Sequence, residues 1–554
     1  MAVCFSIALI FLLTGQLNNY FAGEDFFVFH WAETHNYLDA IKNWYLVNGR
    51  IGNAIYWITE YKLLGYKPML IHFISFIVNI LSIGLAAVAL FRVWPKQIYK
   101  PFLPALFVIL CFLFPHSMNW SLQLASDHIY LAFLFYFGCI LLVQQWALSG
   151  FKVGWLLAAL IVFFLGLLMY ENIALLFPVG FVLAYPLARF TSAEQRKRQL
   201  RVAAIVSVIS CFLILPVLYT YQVFLIQASQ SSVDFVHPAF TDRGILMEIP
   251  ARILSSLEFL LGYLVNLFDG LSISGAISAT ILNIACLLIF ASVIGFWLYA
   301  FSGRIDKQPD RTPGFVAAVR SLCVAAACFI FLGLMPYALW GADANIPHVR
   351  FYTLPLFGIV LTLLLGIFVL RQQVARIPFV LASVSLLVLG AAEFSLFSNQ
   401  LISREYLDIH DYASMVEIVP RVEAGTFFLF FDNDLGYGPW TGCSLALRML
   451  YATRDLRCGF FSSSLPGYAG QRMPGHVVTN EGGTFSNGTW ILIGRDEQGQ
   501  RYVIPQVGPD SPYLIEWVDR TPLETDYTRI FSGPPLETEM YLHLKERWSL
   551  QTAP

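Results

Sequence analysis

Apolar stretches alternate with short polar gaps from residue 3 to residue 397. The runs fall at about 3–21, 67–93, 101–115, 128–148, 153–170, 172–189, 202–226, 276–300, 318–340, 351–370 and 376–397. A helix rises about 1.5 Å per residue, so about 20 apolar residues span roughly 30 Å of hydrocarbon. Most of the runs are long enough; 101–115 is short and draws on its flanks. The expected fold is mainly α, a polytopic bundle of about 11 transmembrane crossings. The first run is not preceded by a basic segment and shows no small-residue cleavage site before Glu24, so it reads as an uncleaved membrane helix.

Basic residues orient the bundle. Arg92, Lys96 and Lys100 follow the second run, Lys152 the fourth, and Arg189, Arg196, Lys197, Arg198 and Arg201 the sixth. Arg304, Lys307, Arg311 and Arg320 surround the gap after 300, and Arg371 and Arg376 flank the gap after 370. These gaps share one side if the apolar segment 253–268 lies at the interface or re-enters instead of crossing. The N-terminus is then cytoplasmic and the C-terminus extracytoplasmic. The expected localisation is an integral protein of a bacterial inner membrane, with the endoplasmic reticulum as the lesser reading.

After residue 397 the pattern changes. Residues 400–554 bring charge, Pro and Gly turns, and short β-like stretches at Thr426–Phe431 and Thr489–Ile493. The chain therefore divides into a transmembrane domain, 1–399, and an extracytoplasmic soluble domain, 400–554, of mixed α/β or β-rich character. Within the first domain, the outer loop 22–66 carries two short amphipathic helices, at 33–46 and 50–61, joined by Val47-Asn48-Gly49-Arg50. Their aromatic residues, among them Trp44, Tyr45, Tyr56 and Trp57, are expected at headgroup level.

Composition agrees with the run pattern. Of the 554 residues 57% are hydrophobic and 13% charged, against roughly 25% charged in soluble domains. The net charge of −2 supplies no basic field for nucleic acid, which is not expected as a partner. The cysteines show no CxxC or Cys/His metal spacing. Seven of the nine lie in or beside apolar runs as small hydrophobes, and Cys443 and Cys458 could pair in an oxidising compartment.

Candidate chemistry gathers on the outer side. Glu24 and Asp25 follow the first run directly, and ionisable groups at membrane depth mark function by default. The bland alternative for Asp25 is a helix cap. Other outer segments hold His116, then Asp127 and His128, then Glu171 between two apolar runs, and finally His348 and Arg350 at the start of a late helix. His116 and His128 also read as satisfied interfacial histidines, and Glu171 as a polar turn. A cation at a helix start opposes the macrodipole, so Arg350 needs a partner such as a phosphate or Asp25. Arg50 after Gly49 is a candidate of the same kind. A carboxylate base, Arg donors and aromatic walls suit sugar transfer from a phosphate-linked lipid. The acceptor hydroxyl loses its proton to the base, and the leaving phosphate needs positive charge.

The acidic pair after the first helix, the long first outer loop with two amphipathic helices and the soluble domain after the last helix resemble the GT-C superfamily of membrane glycosyltransferases. The segment from Asp25 through Asn48-Gly49-Arg50 is most similar to bacterial serotype-converting glucosyltransferases. His348-Val349-Arg350-Phe351-Tyr352 and Pro355 also resemble segments of such enzymes. The pair here is Glu-Asp where Asp-Asp or Asp-Glu is more usual. The resemblance implies a polyprenyl-phosphate sugar donor and inverting transfer to a hydroxyl of a glycan, lipid or protein at the outer face. It implies Asp25 or Glu24 as base, Arg350 as phosphate ligand, and no cofactor or metal, although a divalent ion stays open. Arg50, His348, Glu171, Asp127, His128 and His116 complete the candidate substrate-binding set. Two other readings compete: a flippase or transporter of a lipid-linked sugar, and a glycan ligase or polymerase using a diphosphate-linked donor. A non-enzymatic assembly or receptor protein would leave the polar helix ends without a purpose.

Overall fold

A computed structural model describes residues 28, 32–33, 36–42, 50–65, 67–93, 102–113, 127–188, 190–213, 253, 313–340 and 353–371 of the helical part. In the C-terminal part it describes 422, 426–430, 442–451, 456–461, 477–479, 490–495 and 501–507. The helical part comprises α1 (Tyr37–Lys42), α2 (Ile51–Leu64), α3 (Pro68–Phe91), α4 (Phe102–Leu113), α5 (Asp127–Leu148) and α6 (Val153–Met169). It continues with α7 (Phe177–Ala184), α8 (Ala193–Phe212), α9 (Pro313–Trp340) and α10 (Thr353–Arg371).

Within α3, α5 and α9, the segments Leu70–Phe91, His128–Leu148 and Val316–Met335 are long and apolar enough to cross a membrane. Helices form there because hydrocarbon offers no partner for a bare N–H or C=O, and a helix satisfies both within itself. Shorter apolar helices lie at Val153–Met169, Phe177–Leu187 and Thr353–Gly366. The chain is thus an integral membrane protein of helical type. The runs at 3–21, 276–300 and 376–397, and the segment 253–268 apart from Ile253, lie outside the described residues.

The run 172–189 is not the single continuous helix expected of a crossing. It breaks into a 3-10 turn at Glu171–Ile173, α7, and a second 3-10 turn at Tyr185–Leu187. Pro178 and Pro186 sit in the first turn of the pieces they open, where their missing N–H costs least. The break frees backbone carbonyls, and the buried Tyr136 hydroxyl donates to one of them, Leu176 O, at 3.1 Å.

Packing, not the hydrophobic effect, joins helices in lipid. An aromatic cluster does this across α4, α5, α9 and α10. Phe357 lies 6.0, 5.9 and 5.7 Å from Phe107, Phe133 and Phe137 by ring centroids, and Phe137 lies 6.1 Å from Phe329. Close approach also needs missing side chains. A Cβ at Gly358 of α10 would stand 2.6 Å from the carbonyl oxygen of Ala326 in α9.

The α5–α6 hairpin closes tightly at Ser149–Lys152. Gly150 takes φ +73°, and the Phe151 N–H reaches back to Trp146 O at 2.9 Å, a left-handed cap of the Schellman type. Phe151 itself has φ 68°, which is costly for a bulky residue. Its ring is held 5.0 Å from Trp146 and stacked 5.6 Å from Phe190.

At this end Gln144 Nε2 donates to Ala89 O at 2.6 Å and Arg92 to Gln145 Oε1 at 3.1 Å. α3 and α5 therefore run in the same direction, with their N-termini together at the opposite end. One face of α3 also carries His72, Ser75, Asn79 and Ser82, all fully buried, at the three- and four-residue spacing that puts them in one stripe.

α8 starts at a capping box: the Ser192 hydroxyl accepts from the Gln195 N–H, and Gln195 Oε1 accepts from the Thr191 N–H. In the C-terminal part the described strands are β1 (Phe427–Phe430), β2 (Arg457–Phe461), β3 (Val477–Thr479), β4 (Trp490–Arg495) and β5 (Arg501–Val507), with α11 (Gly442–Tyr451) between β1 and β2. They form one sheet of order β3-β2-β1-β4-β5, in which β1 is parallel to β2 and β4, and the outer pairs are antiparallel. A parallel pair needs a crossover, and α11 lies on that connection. Phe428 stacks on Tyr451 at 5.9 Å, and Arg448 Nε donates to Leu456 O at 2.7 Å. The side chains of Cys443 and Cys458 lie outside the described residues.

Candidate functional site

The first turn of α2 meets the start of α5 and the end of α6. Gly52 permits this: a Cβ there would stand 3.0 Å from Leu168 O and 3.1 Å from Met169 Sδ. The contact buries Gly52, Asn53, Ala54, Trp57, Ile58 and Glu60 along one face of α2. Ile55 and Leu63 remain exposed on the other. The helix is longer than the 50–61 expected from sequence, and it is seated on the bundle. Trp57, expected at headgroup level, is only 6% exposed. α1 leans on the same helix through Tyr37, whose ring takes Lys62 Nζ at 4.2 Å and whose hydroxyl meets Thr59 Oγ1 at 3.3 Å.

Arg50 occupies the N-cap position of α2 without making a side-chain cap. Intrahelical bonding begins with the Ala54 N–H to Arg50 O at 3.1 Å. The N–H groups of Ile51, Gly52 and Asn53 therefore have no acceptor inside the helix. The half-buried guanidinium lies over the ring of Tyr170, 4.7 Å from its centroid. Its Nη1 is 3.4 Å from His128 Nε2. His128, at the start of α5, is 5% exposed and fits edge-on between Tyr170 at 5.4 Å and Trp57 at 6.1 Å. Arginine has no acceptor atom, so this contact requires an unprotonated Nε2 and places the imidazole proton on Nδ1. A charged group at a helix start, turned against the macrodipole, is thus fixed by a ring face and an imidazole edge. Such a cation–π contact contributes about 0.5–2 kcal/mol, more as water is excluded.

Three elements far apart in sequence build this cluster. Of the sequence candidates, it brings Arg50 and His128 together. Asp127 opens α5 beside His128, and Glu171 lies in the 3-10 turn just after Tyr170; their side chains are outside the described set. Glu24, Asp25, His116, His348 and Arg350 also lie outside the described residues. Among the described residues, no group of three His, Cys, Asp or Glu side chains is gathered to hold a metal.

Other polar residues at this end were not singled out from the sequence. Tyr170 supplies the ring under Arg50. Glu60 is 5% exposed and accepts from the Tyr56 hydroxyl at 3.1 Å. Asn53 and Asn172 are 1% and 3% exposed, and the Oδ1 atom of each has no hydrogen-bond partner among the described residues. Asn53, Trp57 and Glu60 fall four and three residues apart, a spacing that could have flagged a polar stripe on a buried face.

No family model matches the chain, and no curated protein matches it. Among solved structures it is similar to the crystal structure of ArnT from Cupriavidus metallidurans in the apo state. The identity is 14% and the TM-score 0.34, over 91% of this chain and 98% of that one.

Proposed function

We propose that the chain is a membrane glycosyltransferase of GT-C type that moves a sugar from a polyprenyl-phosphate donor to a hydroxyl of a glycan, lipid or protein. One observation carries this reading. Arg50 is held half-buried by Tyr170 and His128 at the N-terminus of α2, on the end of the bundle opposite Arg92 and Lys152. A guanidinium and a helix N-terminus both favour an anion, and their convergence suits a lipid-borne phosphate. The reaction makes use of that charge as the glycosidic bond breaks and the phosphate becomes the leaving group.

In this reading Asp25, or Glu24, removes the acceptor hydroxyl's proton, and attack on the opposite face of the sugar inverts the anomeric centre. Arg350 and His348 would join Arg50 around the phosphate. The basic gaps face the cytoplasm and residues 400–554 the outer side of a bacterial inner membrane. No step requires a cofactor.

The test supplies the full-length protein in lipid nanodiscs with radiolabelled polyprenyl-phosphate hexoses and acceptor glycans, and follows release of free polyprenyl phosphate. Wild type is expected to turn over, with release lost in Asp25→Asn and strongly reduced in Arg50→Ala. Donor movement across vesicle membranes without release would overturn the transferase reading in favour of a flippase.

A further inference from the structure

Two buried carboxamides stand close in the chain to Arg50 and Tyr170. Asn53 stands one helical turn after Arg50 on the face of α2 that packs on α6. Asn172 stands two residues after Tyr170 in the 3-10 turn. Gly52 seats that turn of α2 on Leu168 O, four residues before Asn172, so both amides belong to the segments that meet there. They are 1% and 3% exposed, and neither Oδ1 has a hydrogen-bond partner among the described residues. A buried polar atom without a partner is destabilising, and native proteins retain few of them without a use. Asn and Leu share the same branched side-chain skeleton, so packing alone would be served by an apolar residue with local repacking.

We infer that Asn53 and Asn172 form a hydroxyl-binding subsite beside the Arg50 phosphate site, taking the sugar ring of a lipid-linked hexose. The inference rests on the proposed transferase reading and adds the group that selects a glycosylated lipid over the bare lipid phosphate. The chemistry fits in either amide orientation. A sugar hydroxyl donates to a carbonyl oxygen and accepts from an amide N–H, so it satisfies whichever end of the carboxamide faces it. A site built to hydrogen-bond hydroxyls discriminates against a ligand lacking them, because the buried amides are then left without partners.

The test measures equilibrium binding of polyprenyl phosphate and of polyprenyl-phosphate glucose to the full-length protein in nanodiscs, together with Tm. Wild type is expected to bind the glucosylated lipid about tenfold more tightly than the bare lipid. Asn53→Leu with Asn172→Leu is expected to bind both equally, to keep wild-type affinity for the bare lipid, and to remain folded. Each single variant is expected to lose part of the preference. Equal binding of the two lipids by wild type would mean the amides hold only water, which overturns the inference and leaves the phosphate reading standing. Loss of folding in the Leu variants would make the amides structural and also overturn it. Binding of neither lipid would remove the transferase reading, and the inference with it.

Discussion

Nη1 of Arg50 lies 3.4 Å from Nε2 of His128, a residue 78 positions further along the chain. The guanidinium can only donate, so the ring is neutral in this contact and its Nε2 is the acceptor. A neutral imidazole does not itself compete with an anion for Arg50 by charge. The imidazole orients the arginine while leaving its charge unneutralised by that partner. An aspartate in the same position would orient it as well but cancel the field.

Arg50→Lys is expected to behave almost like Arg50→Ala. Lysine keeps the charge but loses the planar group that stacks on Tyr170 and meets His128 edge-on. Affinity for polyprenyl phosphate should fall on the order of tenfold to a hundredfold in both variants, measured by equilibrium binding in nanodiscs. Wild-type affinity in Arg50→Lys would show that only a point charge is needed.

His128→Gln and His128→Leu separate the imidazole's acceptor role from its bulk. Glutamine offers an acceptor to Arg50 and leucine does not. Binding of the lipid phosphate is expected to be largely kept in the first and weakened roughly fivefold to tenfold in the second. Equal losses would assign His128 to packing alone.

Tyr170→Phe keeps the ring face under Arg50, and Tyr170→Leu removes it. The leucine variant should lose about 0.5–2 kcal/mol of the interaction that positions the guanidinium, read as weaker lipid-phosphate binding. The phenylalanine variant should match wild type. A phenylalanine variant as weak as the leucine one would point to the hydroxyl instead.

Gly52→Ala should be tolerated only in part, and Gly52→Val not at all. The added Cβ meets a backbone oxygen at 3.0 Å, an atom that cannot swing away as a side chain would. Overpacking of this kind costs about 1–3 kcal/mol. The check is Tm together with lipid-phosphate binding, which should fall in step as α2 lifts from α6. Unchanged binding in Gly52→Val would disconnect the α2 seat from the site.

In the C-terminal part, burial pushes the Tyr451 phenol well above its ordinary value. The native state then resists ionisation while the unfolded chain ionises near pH 10. The group's contribution is fully present below that pH and is lost as pH rises beyond it. Tyr451→Phe should flatten the alkaline fall in stability, followed by near-ultraviolet circular dichroism. An identical alkaline profile in the variant would place the transition elsewhere.

Much of the helical part was legible from side-chain pattern. The runs 67–93, 128–148, 153–170, 318–340 and 351–370 correspond to α3, α5, α6, α9 and α10, each within a few residues. Thr426–Phe431 contains β1, and Thr489–Ile493 covers the first part of β4. The run 172–189 was misleading, because apolar composition does not register the two prolines that divide it. The site was less legible. His128 and Arg50 stood out as single polar residues near helix ends, but Tyr170 looked like one aromatic among many, Asn53 like one polar residue of an amphipathic helix, and Asn172 like part of a polar junction between apolar runs.

The difference is physical. Whether a segment crosses lipid is decided by its own side chains and by the need of every peptide group for a hydrogen bond within the segment, so local sequence determined it. The direction of α2 was not local. An amphipathic helix can lie at the interface with Trp57 among headgroups, or dock with Trp57 buried. Only the meeting of Gly52 with the backbone at Leu168 selects the second arrangement. That docking sets Arg50 over Tyr170 and against His128. It turns three positions far apart in sequence into one cluster because burial and mutual distance, unlike hydrophobicity, are properties of the packed chain.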